Sequence, residues 1–109
     1  MPKFNEKPPK TYQQFLDDFP DVAEALELLG KRANNVGPLD AKTVRLIKLA
    51  MSLSAFLEGA VHADVRKALA VGISPEEIRQ VAILSITTNG LPTAMAGLKW
   101  IDKALAGNS

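Results

Sequence analysis

The run Gly72-Ile73-Ser74-Pro75-Glu76-Glu77-Ile78 constrains the fold of this chain more than any other stretch. A glycine just past a helix end takes the left-handed backbone conformation that side chains disfavour, so Gly72 suits the close of one helix. Ser74 suits the N-cap of the next, Pro75 has no amide hydrogen to lose in a first turn, and Glu77 stands where a carboxylate reaches back to the cap. Together they predict a tight corner between a helix over about Leu57–Val71 and a second from Pro75 to about Thr88. Asn89-Gly90 ends that second helix.

Elsewhere the pattern is also helical. The first ten residues hold three prolines and four charges and are expected to form an extended arm. A short helix starts at Thr11 and stops before Pro20. The next is capped by Asp18 and points Val22, Ala25, Leu26 and Leu29 inward. Residues 34–40, NNVGPLD, form a loop, and Asp40 caps a mostly buried third helix carrying Val44, Ile47, Met51 and Ser54 beside Leu46, Leu49, Ala50 and Leu53. Pro92 opens a last helix that runs to about Leu105 with Met95, Leu98, Ile101 and Leu105 inward. No segment alternates with period two, so the chain is predicted to be an all-α bundle of five to six helices, one domain over 11–109. The apolar surface of several helices exceeds what 109 residues bury in one small globule, which points to self-association, although a simple crossing of helices in the core would also use it.

Composition removes several function classes. A net charge of +1 with scattered basic residues offers no stripe for a phosphate backbone, and 6% aromatic residues offer no stacking platform, so nucleic acid is not an expected partner. No apolar run approaches membrane-spanning length and MPKFNEKPPK lacks the apolar stretch of a signal peptide, so a cytoplasmic protein is expected. The chain has no cysteine and one histidine, which excludes thiol chemistry and a multi-histidine metal site within one chain. No cofactor is expected.

From Leu39 onward the order LDAKTVRLIKLAMSLS, LEGAVHADVRKALAVGISPEEI, an apolar helix and GLPTAM resembles the carboxymuconolactone decarboxylase-like family, which includes the alkylhydroperoxidase D proteins. The resemblance spans residues 39–104. Its anchors are Ala68, Gly72 and Ser74 to Ile78, in the register of the family run H-x-x-x-A-L-x-x-G-x-[ST]-x-E-E-I. In the peroxidase branch of the family a C-x-x-C pair, a histidine four residues on and a glutamate of the preceding helix form the redox site. That register places Leu57 and Ala60 at the two cysteine positions, Asp64 at the histidine and Arg45 at the glutamate. The resemblance therefore implies the fold without the thiol chemistry, and, by analogy with relatives, a homo-oligomer.

Two candidate centres remain. Asp64 falls in an apolar stripe with Leu57, Ala60, Val61, Val65 and Ala68, where a carboxylate needs a cation, a proton or a wet pocket. In the family register Arg45 is the counter-ion, either as a structural tie or as an anchor for a carboxylate substrate next to Asp64 as general base. His62 lines up with Glu58 and Arg66 at i−4 and i+4, a polar stripe expected in solvent; were it covered, Glu58 and His62 would form a carboxylate–histidine acid–base pair. The functional expectations are thus a thiol-free acid–base enzyme acting on a small carboxylic acid or lactone, or a non-catalytic oligomeric binding or assembly protein. A thiol peroxidase comes last. Thr87, Thr88 and Asn89 are turn residues that also suit a pocket wall.

Overall fold

The computed structural model describes residues 9–107. Seven helices follow one another: α1 Lys10–Asp18, α2 Pro20–Asn34, α3 Ala41–Ser54, α4 Glu58–Ala70, α5 Pro75–Leu84, α6 Ile86–Asn89 and α7 Leu91–Leu105. No strand occurs among the described residues, so the fold is all-α as expected. The arm expected over residues 1–10 lies outside the described residues except for Pro9 and Lys10, and Lys10 is already helical. No helix among the described residues is long and apolar enough to cross a membrane.

Local chemistry sets most of the boundaries. The Asp40 carboxylate accepts the Thr43 amide at 2.7 Å, and this bond holds its pKa below the ordinary value. At the predicted corner Gly72 sits at φ +84°, the Ser74 hydroxyl accepts the Glu77 amide at 3.2 Å, and Glu77 accepts the Ser74 amide at 3.0 Å. Asp18 does not cap α2. It ends α1, where Gln14 donates to it at 3.2 Å, and Phe19 occupies the cap position without a side-chain bond. The fifth predicted helix breaks at Ser85, whose hydroxyl turns back to donate to the Ala82 carbonyl at 2.6 Å; the remainder forms the one-turn α6, closed by Gly90 at φ +98°.

Helices α3, α4, α5 and α7 pack around one core of Leu49, Leu53, Val61, Val65, Ile78 and Ile101. Gly97 lets α7 lie directly on Leu53 of α3, because a β-carbon there would fall 2.4 Å from Leu53 Cδ1. The turn between α3 and α4 carries Phe56 at φ +59°, a left-handed conformation unusual for a bulky residue, with its ring against Trp100 at a centroid distance of 4.8 Å. In contrast, α1 and α2 pack on each other and hardly touch this body. The inward stripe expected on α2 is therefore in solvent: Val22, Leu26 and Leu29 are exposed and only Ala23 is buried. Ile47 and Met51 of α3 and Met95 of α7, also expected inside, are exposed because no described element covers those faces.

Candidate functional site

Helix α4 carries the candidate residues, and its position explains their environments. Two residues apart on a helix are about 200° apart around its axis, so His62 and Asp64 face opposite sides. A surface helix buries one of two such residues. Here α3 covers one flank and α7 the other, and both side chains are buried, at 7% and 6% exposure.

On the α3 flank, the Ser52 hydroxyl donates to Asp64 Oδ2 at 2.5 Å, which gives the buried carboxyl group a polar partner. The expected Arg45–Asp64 pair does not form. The α3–α4 connection holds only three residues, so the helices run antiparallel and positions at similar distances from the turn meet. Ser52 opposes Asp64, while Lys42 near the start of α3 approaches Gly72 near the end of α4. Arg45 lies two turns, about 10 Å, from Ser52 along α3. It is half-buried and makes no ion pair among the described residues. Ser52 escaped the sequence reading, though the shortness of the connection is a signal that would have found it. Leu57, at the N-cap position of α4, is exposed, and Ala60 is half-buried in the first turn.

On the opposite flank, His62 was expected in solvent and is instead enclosed under α7. Its Nε2 lies 3.8 Å from Glu58 Oε2, an ion-pair distance too long for a direct hydrogen bond, and Glu58 is 56% exposed at the side chain. Burial lowers the His62 pKa below its ordinary value; Glu58 opposes that shift, while the nearby charges of Arg66 and Lys103 reinforce it. Its charged form is accordingly disfavoured. His62 Nδ1 and Arg66 Nη1, one helical turn apart, are both buried without a hydrogen-bond partner. The site is thus an enclosed imidazole with the Glu58 carboxylate at ion-pair distance and the charges of Arg66 and Lys103 nearby. Arg66 appeared in the sequence only as part of the polar stripe, and Lys103, on a distant helix, had no local signal.

A separate groove of about 430 Å³ runs between α3 and α5–α6. Its walls are largely apolar, from Leu46, Ile47, Ala50, Leu53, Val81 and Leu84, and Ser54 donates to Asn89 at 3.0 Å near one end. Thr88 and Asn89 line it as the sequence allowed, whereas Thr87 does not, and neither do Arg45, Glu58, His62 and Asp64. No cluster of three metal-ligating side chains occurs among the described residues.

No curated protein and no solved structure matches this chain. The sequence pattern of the Carboxymuconolactone decarboxylase family matches residues 20–103, extending the likeness seen from Leu39 backward to the start of α2. Because that match covers most of the chain, and the all-helical body carries the Gly72–Ile78 corner, the chain belongs to the carboxymuconolactone decarboxylase family.

Proposed function

We propose that the chain is a thiol-free acid–base member of its family, working as a homo-oligomer on a small carboxylic acid or lactone, with His62 and Glu58 as its proton-transfer pair. The observation that carries this reading is the enclosed imidazole beside an accessible carboxylate. Loss of CO2 from a lactone acid leaves an electron pair that must be stabilised and a carbon that must receive a proton. The imidazole takes that proton from water, the Glu58 carboxylate holds the imidazolium so formed, and the proton passes to the carbon as CO2 leaves. Arg66 and Lys103 supply the positive field that a carboxylate substrate requires. Asp64 and Arg45 have lesser parts in this reading, Asp64 as a tie to Ser52. A thiol peroxidase step has no nucleophile in a chain without cysteine.

The test is CO2 release from carboxymuconolactone by the purified protein and by H62Q, with circular dichroism to show that the fold is kept. General acid–base catalysis is commonly worth 10²- to 10⁴-fold, so H62Q should release CO2 at least ~100-fold more slowly. Equal rates for the two proteins would remove His62 from the chemistry, and no release by the wild type would remove this lactone as substrate. A second reading, a non-catalytic binding or assembly protein, is favoured by one observation: the apolar groove lies apart from all four candidate side chains.

A further inference from the structure

The α1–α2 hairpin is amphipathic, and its apolar stripe is left uncovered by the described residues. On α2, Val22, Leu26 and Leu29 form a stripe at helical spacing, and Leu16 of α1 and Phe19 at the junction of the two helices add to the exposed apolar surface; each of the five is between 38% and 64% exposed. At roughly 150–200 Å² for a fully exposed side chain of this size, these five leave on the order of 500 Å² of apolar surface in water. That is more than half of the ~800 Å² each partner gives to a standard protein interface, and at the upper range for the largest patch on a monomer.

The same chain presents a surface that fits. The groove between α3 and α5–α6 is open on one side and walled by aliphatic side chains, of which Ile47 and Leu84 are exposed. Val22 to Leu29 spans about 10 Å of helix, and the α3 wall from Leu46 to Ser54 about 12 Å. Charges match as well. The last turn of α2 is basic, with Lys31 and Arg32, and the first turn of α5 at one end of the groove is acidic, with Glu76 and Glu77. The interaction between Lys42 and Glu77 at one end and the Ser54–Asn89 bond at the other show α3 running parallel to α5–α6, so that pairing lays α2 antiparallel to both.

We infer that the α1–α2 hairpin of one copy seats in the α3/α5–α6 groove of a second copy, stripe against its walls, with the basic end of α2 over Glu76 and Glu77. This deepens the homo-oligomer in the proposed function and rests on self-association alone. The contact is head-to-tail: the hairpin and the groove are different surfaces, so each copy offers one of each, and the assembly is a ring where the rotation closes and an open chain where it does not.

Analytical ultracentrifugation of the full chain, of L26D/L29D, of L84D and of an equimolar mixture of the two variants tests it. Leu26, Leu29 and Leu84 are at least half exposed, so the variants should fold, which circular dichroism checks. The wild type should sediment as a multiple of its 11.7 kDa, each variant alone as a monomer, and the mixture as a dimer, because each variant keeps the surface the other lacks. A monomeric wild type overturns self-association itself. A wild-type assembly that both variants retain overturns this interface while leaving self-association standing, and monomeric variants that fail to complement overturn the hairpin-in-groove pairing in favour of like-with-like contact. None of these outcomes depends on CO2 release, so they are separate from the fate of the acid–base reading.

Discussion

Replacing Gly97 with alanine isolates the tightest approach at any glycine of the described residues. The added β-carbon would stand 2.4 Å from Leu53 Cδ1, 2.6 Å from Cγ and 3.2 Å from Cδ2, all inside van der Waals contact. Movement of one terminal methyl would relieve a clash at Cδ1, but the overlap at Cγ involves the branch point itself. Leu53 is almost wholly buried, so it must leave its rotamer within a filled core or α7 must lift from α3. Overpacking of this kind costs about 1–3 kcal/mol, and the branch-point clash puts G97A in the upper part of that range. Alanine regains up to about 1 kcal/mol as the better helix former. The net expectation is a loss of about 1–2 kcal/mol, which lowers Tm by roughly 4–12 °C in a domain of this size. Thermal and urea unfolding followed by circular dichroism, at one fixed protein concentration, measures it. L53A alone should cost about 2–5 kcal/mol through its cavity, and the double variant should cost less than the two singles added, because the new methyl enters that cavity. A G97A protein at least as stable as wild type, or strict additivity in the double variant, would refute the claimed contact.

Three further outcomes are expected. His62 has a folded-state pKa below its ordinary 6.5, so the unfolded chain takes up a proton that the folded chain resists: its contribution to stability is complete above pH 6.5 and declines as pH falls below it. One such group gives a slope of at most about 1.4 kcal/mol per pH unit, and urea midpoints across pH 4.5–8 should show a decline that H62Q lacks. S52A strands the buried Asp64 carboxylate and should cost about 1–3 kcal/mol, whereas R45A should stay within about 0.5 kcal/mol; comparable losses in both would restore the Arg45–Asp64 pairing. Incubation with an organic hydroperoxide and a dithiol donor should show no turnover above a heat-killed control, as no thiolate exists to attack the peroxide.

What the sequence disclosed was mostly local. Asp40, Gly72, the Ser74–Glu77 box and Gly90 act over three or four residues, and each stands where its chemistry requires. Asp18 failed as a cap because Pro20 had already fixed where α2 begins, leaving Phe19 in the cap position. Partners across helices were harder. The family register put Arg45 opposite Asp64, yet the three-residue turn with left-handed Phe56 sets the antiparallel register and selects Ser52. His62 and Glu58 read as a surface stripe because their spacing describes α4 alone. Which of its flanks α7 covers depends on the corner at Gly72, on Gly90 and on the close approach at Gly97 taken together.

The enclosed flank of α4 bears on which function the chain serves. A helix held between two others is most stable with apolar side chains on both covered faces, and α4 has them at Val61, Val65 and Ala68. At His62 and Arg66 it instead buries two polar nitrogens without partners, each costing on the order of 1–3 kcal/mol against a satisfied or apolar alternative. An ordered water would reduce that cost without explaining why the charges of Arg66 and Lys103 stand close to the only histidine, where they oppose its protonation. A scaffold that served assembly alone would gain from leucine at position 62, as nothing in the packing calls for an imidazole there. H62L therefore separates the two readings: greater thermal stability with no CO2 release fits a residue retained for proton transfer, and lower stability would show that the imidazole is part of the packing after all.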